Sequence, residues 1–156
     1  MFEKILICLD GSKLAEQILP YATEQALRFD SNVALLHVMS IPDRIAMASI
    51  AGATPQTPNM IEEEARRQKA EMKDYLGGVA GALAKKGIGA EHIILEPSRV
   101  GEAIVKYAHD NSFDLICIAT HGHSGLGRVV FGSVADHVIR QSGLPTLLIR
   151  PEEIEE

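Results

Sequence analysis

Tryptophan is absent, and three tyrosines and four phenylalanines are all the aromatic side chains in the chain. The core must therefore be aliphatic, which a 46% hydrophobic content supplies. The two cysteines, Cys8 and Cys117, each lie inside an apolar run. They are too few for a disulfide framework and are expected to act as small buried hydrophobes. No apolar run approaches the roughly 20 residues of a spanning helix, so no membrane partner is expected. Basic residues are also in deficit: 15 lysines and arginines against 21 acidic residues give a net charge of -6. Neutralising a phosphate backbone needs the opposite balance, and nucleic acid is excluded as an expected partner. The start, Met1-Phe2-Glu3-Lys4, has no basic region, long apolar stretch or small-residue cleavage site ahead of the first strand. It reads as a mature cytoplasmic N-terminus.

What is present fits one domain over residues 1–156, a length that can bury a core unaided. Lys4 to Leu9, Asn32 to Met39 and Asp114 to Ala119 are apolar runs of strand length, the pattern of strands covered on both faces. Ala90 to Leu95 is a weaker strand, and Thr146 to Arg150 a last one. Between the first two, Leu14, Ile18, Ala22 and Ala26 line one helix face behind Asp10-Gly11-Ser12, with Pro20 expected to bend that helix. Residues 40–59, with three prolines, read as a long loop.

A helix is expected from Met60 to about Lys86, with Glu62 and Glu63 facing Arg66 and Arg67. Ser98 is placed to cap a helix bearing Val100, Ile104, Tyr107 and Ala108 on its buried stripe. A final helix runs from Ser133 to Ser142, and residues 152–156 form an acidic tail. Strands alternating with helices demand right-handed crossovers and an open, mainly parallel five-stranded α/β sheet with helices on both faces.

Ligands of such sheets bind beyond the carboxyl ends of the strands, where strand order reverses. Two loops are placed there: Leu9 to Ser12, and Thr120 to Gly132. The second carries Gly122, Gly125, Gly127 and Gly132, so its backbone can fold tightly around an anion. It ends at Ser133, where a helix N-terminus offers unpaired N–H groups and partial positive charge to a phosphate. Asp136 could instead complete a capping arrangement.

Generic phosphate motifs do not fit. Arg128-Val129 stands where a P-loop needs Lys-Ser/Thr, and Val130 replaces the third glycine of a dinucleotide loop. His121 and His123 flank Gly122 without a third ligand close in sequence, so they read as loop residues rather than a metal pair. Lys13 and Arg128 are the cations placed to meet phosphate, Arg128 the better placed of the two. No catalytic unit of the Ser/His/Asp, Cys/His or paired-carboxylate kind declares itself.

The same loop resembles the nucleotide-binding motif of the universal stress protein family, Gly-x2-Gly-x9-Gly-Ser/Thr, read here as Ala119-x2-Gly122-x9-Gly132-Ser133. The likeness extends to KILICLDGS, LLHV, DLICIATHGHSG, GSVADHVI and LPTLLIRP, nearly the whole chain. Ala119 departs from the motif's first glycine, and its methyl group crowds the place where a ribose would approach.

The resemblance implies a Rossmann-like fold with strand order 3-2-1-4-5 and bound ATP, with any Mg2+ held by the phosphates. It implies a base near Asp10 and Val38 and phosphates against Gly122, Gly132, Ser133 and Val134, and Leu9, Ile118, Ala119 and Arg128 complete the expected nucleotide-binding set. Asp10 can accept from an amino or hydroxyl group, or can serve only as a turn or cap residue. The resemblance further implies a nucleotide-responsive regulatory or sensor module in the stress response, and a homodimer paired along residues 146–150. A slow ATP hydrolase and a dimeric scaffold without nucleotide are the alternatives.

Overall fold

A computed structural model describes residues 1–40, 58–120 and 132–152. Five strands, β1 (Lys4–Cys8), β2 (Asn32–Ser40), β3 (Ala90–Ser98), β4 (Leu115–Ala119) and β5 (Thr146–Ile149), form one sheet in the order β3-β2-β1-β4-β5. All four pairings are parallel, with Ile5 beside both Val33 and Leu115 in the central register. The expected doubly wound, Rossmann-like architecture and strand order are therefore observed. Strand order reverses between β1 and β4.

The helices are α1 (Lys13–Glu16), α2 (Leu19–Phe29), α3 (Pro58–Ala84), α4 (Val100–Asp110) and α5 (Ser133–Gln141). Side chains alternate across a strand, and the core divides accordingly. Ile5, Ile7, Leu35 and Cys117 pack with Ile18, Ala22, Leu76 and Leu83 on the α1–α3 face. Leu6, Cys8, Leu36 and Ile116 pack with Ile104, Ala108 and Val138 under α4 and α5. The two cysteines, though on neighbouring strands, thus face opposite sides of the sheet and are both free.

Burial raises both thiols above their ordinary value of 9.0, Cys117 to about 12 and Cys8 further. The unfolded chain therefore releases these protons first as pH rises. Their contribution to stability is whole below pH 9 and declines above it through the folded-state values. Iodoacetamide at pH 8 is accordingly expected to leave both thiols untouched in the native protein and to label both in denaturant, as read by mass spectrometry.

Several local expectations are corrected. Pro20 does not bend one helix; it sits in the first turn of α2, after α1 has ended at Glu16. Proline fits there because its missing N–H would be unpaired in any case. Ser98 does not cap α4: the strand runs on to Ser98, whose hydroxyl donates to the Glu96 carbonyl, and Arg99 occupies the cap position. The β2–β3 register shifts between Val38 and Ser40, opposite Glu96 and Pro97. Pro97 has no N–H for the ladder, and β3 is an edge strand, where that loss is tolerated. On α3, Glu62 meets Arg66 as expected, whereas Arg67 pairs with Glu64. These exposed pairs contribute little to stability.

Candidate functional site

At the carboxyl ends of β1, β2 and β4, a cavity of about 550 Å³ opens where strand order reverses. Leu9, Asp10, Val38, Ile118, Ala119, Gly132, Ser133 and Val134, eight residues singled out from the sequence, all line it. Gly122 and Arg128, with His121 and His123, lie outside the described residues. Lys13 donates to Glu16 at 2.9 Å and is not among the cavity's lining residues.

The β1–α1 turn is shaped by three adjacent residues. Asp10 Oδ1 accepts from the Ser12 amide at 2.8 Å, so one carboxylate oxygen does serve the turn. Gly11 has φ +85°, left-handed backbone that side chains rarely adopt, and a β-carbon there would also stand 3.1 Å from Met72 Cε. Ser12 caps α1 by accepting from the Ala15 amide at 3.0 Å. The turn thus holds Asp10 at the cavity mouth.

The opposite wall is the start of α5. Gly132 is its N-cap, and no described side chain caps the helix. Asp136 does not take that role: its carboxylate accepts from Arg140 Nε at 2.8 Å. The first-turn amides, having no intrahelical acceptor, therefore present donors and partial positive charge to the cavity beside Ser133. Ser133 itself is exposed.

Sequence reasoning missed Cys8, Leu36, His37, Val100 and Ile104, which also line the cavity. The aliphatic members form an apolar floor, suited to the face of a flat ring. His37 has more specific geometry: its Nδ1 lies 2.9 Å from the Leu9 carbonyl oxygen. A carbonyl can only accept, so Nδ1 carries the proton and Nε2 is the acceptor of the neutral ring. The Leu9 amide meanwhile donates to the Leu36 carbonyl at 2.9 Å, so both polar groups of Leu9 are engaged by β2. Leu9 consequently offers the cavity its apolar surface.

The arrangement combines an apolar slot, a carboxylate at one end and an electropositive helix terminus at the other. Those are the chemical needs of a ligand with a flat hydrogen-bonding ring and an anionic tail.

Comparison with known proteins yields concordant findings. The model of the universal stress protein family matches residues 1–150. The chain is 29% identical to the universal stress protein YxiE of Bacillus subtilis over 150 residues, 96% of this chain and 100% of that protein. It is equally 29% identical to the universal stress protein MJ0577 of Methanocaldococcus jannaschii over 159 residues, covering 96% of each. The solved structure of MJ0577 aligns with a TM-score of 0.79 at 26% identity, covering 99% of both chains. A universal stress protein from Archaeoglobus fulgidus, solved in complex with dAMP, aligns with a TM-score of 0.63 at 21% identity, covering 96% of this chain and 98% of that one.

Proposed function

The chain belongs to the universal stress protein family, and from that premise we propose that it is an ATP-binding, nucleotide-responsive regulatory module of the stress response, acting in the cytoplasm as one domain over residues 1–156. The observation that carries this reading is the cavity itself. It is large enough for a mononucleotide, runs from Asp10 to the uncapped start of α5, and has an apolar floor between them.

The adenine lies over Leu9, Val38 and Ile118, with its exocyclic amine donating to Asp10. The ribose passes Ala119, whose methyl group costs affinity by crowding it. The phosphates meet the Gly132, Ser133 and Val134 end of α5, together with Gly122 and Arg128 of the adjoining loop. Magnesium, where present, is held by the phosphates. A family member solved with dAMP and another solved with cAMP support an adenine nucleotide as the ligand class.

The protein is further proposed to be a homodimer paired along β5. That strand ends the sheet and carries Leu147, Leu148 and Ile149, all half-buried in the single chain. An apolar edge of this kind invites another strand. The described start of the acidic tail is tied to Gln17, which exchanges two hydrogen bonds of 2.8 and 2.9 Å with the Glu152 backbone.

Mass spectrometry of small molecules released by heating the purified protein tests the reading. Stoichiometric adenine nucleotide is the expected result. A clean supernatant, with no thermal shift on adding ATP, would favour the scaffold alternative.

A further inference from the structure

The ladder between β1 and β2 stops one hydrogen bond early. A parallel pair is joined by evenly spaced bonds that run in turn from one strand to the other. After the Leu9 amide has donated to the Leu36 carbonyl, the next bond in that series runs from the Val38 amide to the Leu9 carbonyl. It is not formed: the register ends at Cys8 and Leu36, and no backbone hydrogen bond joins Val38 to Leu9. The Leu9 carbonyl accepts from His37 Nδ1 at 2.9 Å instead.

A side chain has thus taken the place of a backbone donor, and the displaced donor is left over. Val38 lies two residues beyond Leu36 and presents its N–H to the same side of β2, toward the space that β1 leaves as it turns away at Asp10. Val38 is buried and lines the cavity together with Leu9, Asp10 and His37. A buried amide without a partner costs free energy that an acceptor inside the cavity recovers.

We propose that His37 is a positioning residue for the nucleotide: by holding the Leu9 carbonyl it keeps the Val38 amide free to donate to a ring nitrogen of the base. The inference rests on the nucleotide reading above and deepens it. With the exocyclic amine of adenine donating to Asp10, the neighbouring ring nitrogen, N1, is the acceptor that meets Val38. His37 touches neither group and acts through the backbone between them.

Calorimetric titration of ATP and of 1-deaza-ATP, in which C–H replaces N1, into the full chain and its variants provides the test. Wild type is expected to bind ATP about tenfold or more tightly than 1-deaza-ATP. His37→Leu removes the donor and lets the Leu9 carbonyl take the Val38 amide. It is expected to bind ATP about tenfold or more weakly than wild type, and no better than it binds 1-deaza-ATP. His37→Asn returns an N–H donor to the position of Nδ1 and is expected to bind ATP within about threefold of wild type. His37→Phe serves as the second donorless variant should His37→Leu lose its circular dichroism spectrum. Amide exchange followed by NMR reads the ladder without nucleotide, and Val38 is expected to exchange faster in wild type than in His37→Leu.

ATP affinity within about twofold of wild type in His37→Leu would overturn the proposal. So would equal weakening of both nucleotides, the mark of a general structural role, or a His37→Asn no better than His37→Leu. A Val38 amide as protected in ligand-free wild type as in His37→Leu would overturn the role of His37 and leave the nucleotide reading intact. Failure of wild type to bind ATP would overturn the nucleotide reading and the role of His37 together.

Discussion

Gly101→Ala is expected to lower the stability of the chain although alanine is the better helix former. Gly101 lies in the first turn of α4, and a β-carbon built on it would stand 2.8 Å from His137 Cβ, 2.9 Å from Cγ and 3.0 Å from Cδ2. The nearest of these atoms is fixed to the α5 backbone, so relief requires α4 and α5 to move apart. Replacing glycine by alanine gains at most about 1 kcal/mol of helix propensity, and less in a first turn. Overpacking of a close contact costs about 1 to 3 kcal/mol. The second effect wins, and a net loss of ~1 to 2 kcal/mol is expected, read as a drop of roughly 3 to 8 °C in Tm. His137→Ala removes two of the three atoms in conflict and keeps Cβ. The double variant is therefore expected to recover only part of the loss, a coupling that a thermodynamic cycle measures. Full additivity would show that α4 and α5 do not meet through this pair.

Gly132→Val is expected to weaken nucleotide binding while leaving the fold in place. Gly132 has φ -54° and ψ 153°, which valine adopts without strain. The substitution therefore does not test backbone freedom. Instead it sets a branched side chain on the N-cap, at the wall where phosphate would approach the α5 amides. Affinity for ATP is expected to fall by about tenfold or more, the equivalent of 1.4 kcal/mol or above, with Tm changed by no more than about 2 °C. Unaltered ATP affinity in a folded Gly132→Val would show that the phosphates lie elsewhere.

Much of the fold is legible because buried parallel strands read as short apolar runs. Lys4 to Leu9, Asn32 to Met39 and Asp114 to Ala119 correspond to β1, β2 and β4 within a residue or so at each end. The break at Pro20 was not legible, since Ile18, Ala22 and Ala26 keep one apolar period straight through it. A proline within such a pattern is equally consistent with a kink and with a new helix start. The extension of β3 to Ser98 was hidden by Pro97, which is compatible with a strand only because β3 lies at the sheet edge.

For the site, the glycine-rich motif pointed to residues around Ala119 and Gly132. His37 was invisible because its role comes from pairing with Leu9, 28 residues away. Its only sequence signal is a polar residue inside an apolar strand. Val100 and Ile104 read simply as a buried helix stripe, and only the placement of α4 beneath the cavity makes them part of its floor. Gly101 gave no signal at all, since its constraint is set by His137 on another helix.

Calorimetric titration of ATP, with magnesium, into the full chain freed of any bound nucleotide tests the central claim most directly. Saturable heat with one ATP per chain is expected, its affinity lowered about tenfold or more in Gly132→Val. The absence of binding heat at several temperatures, with the protein folded, would contradict it.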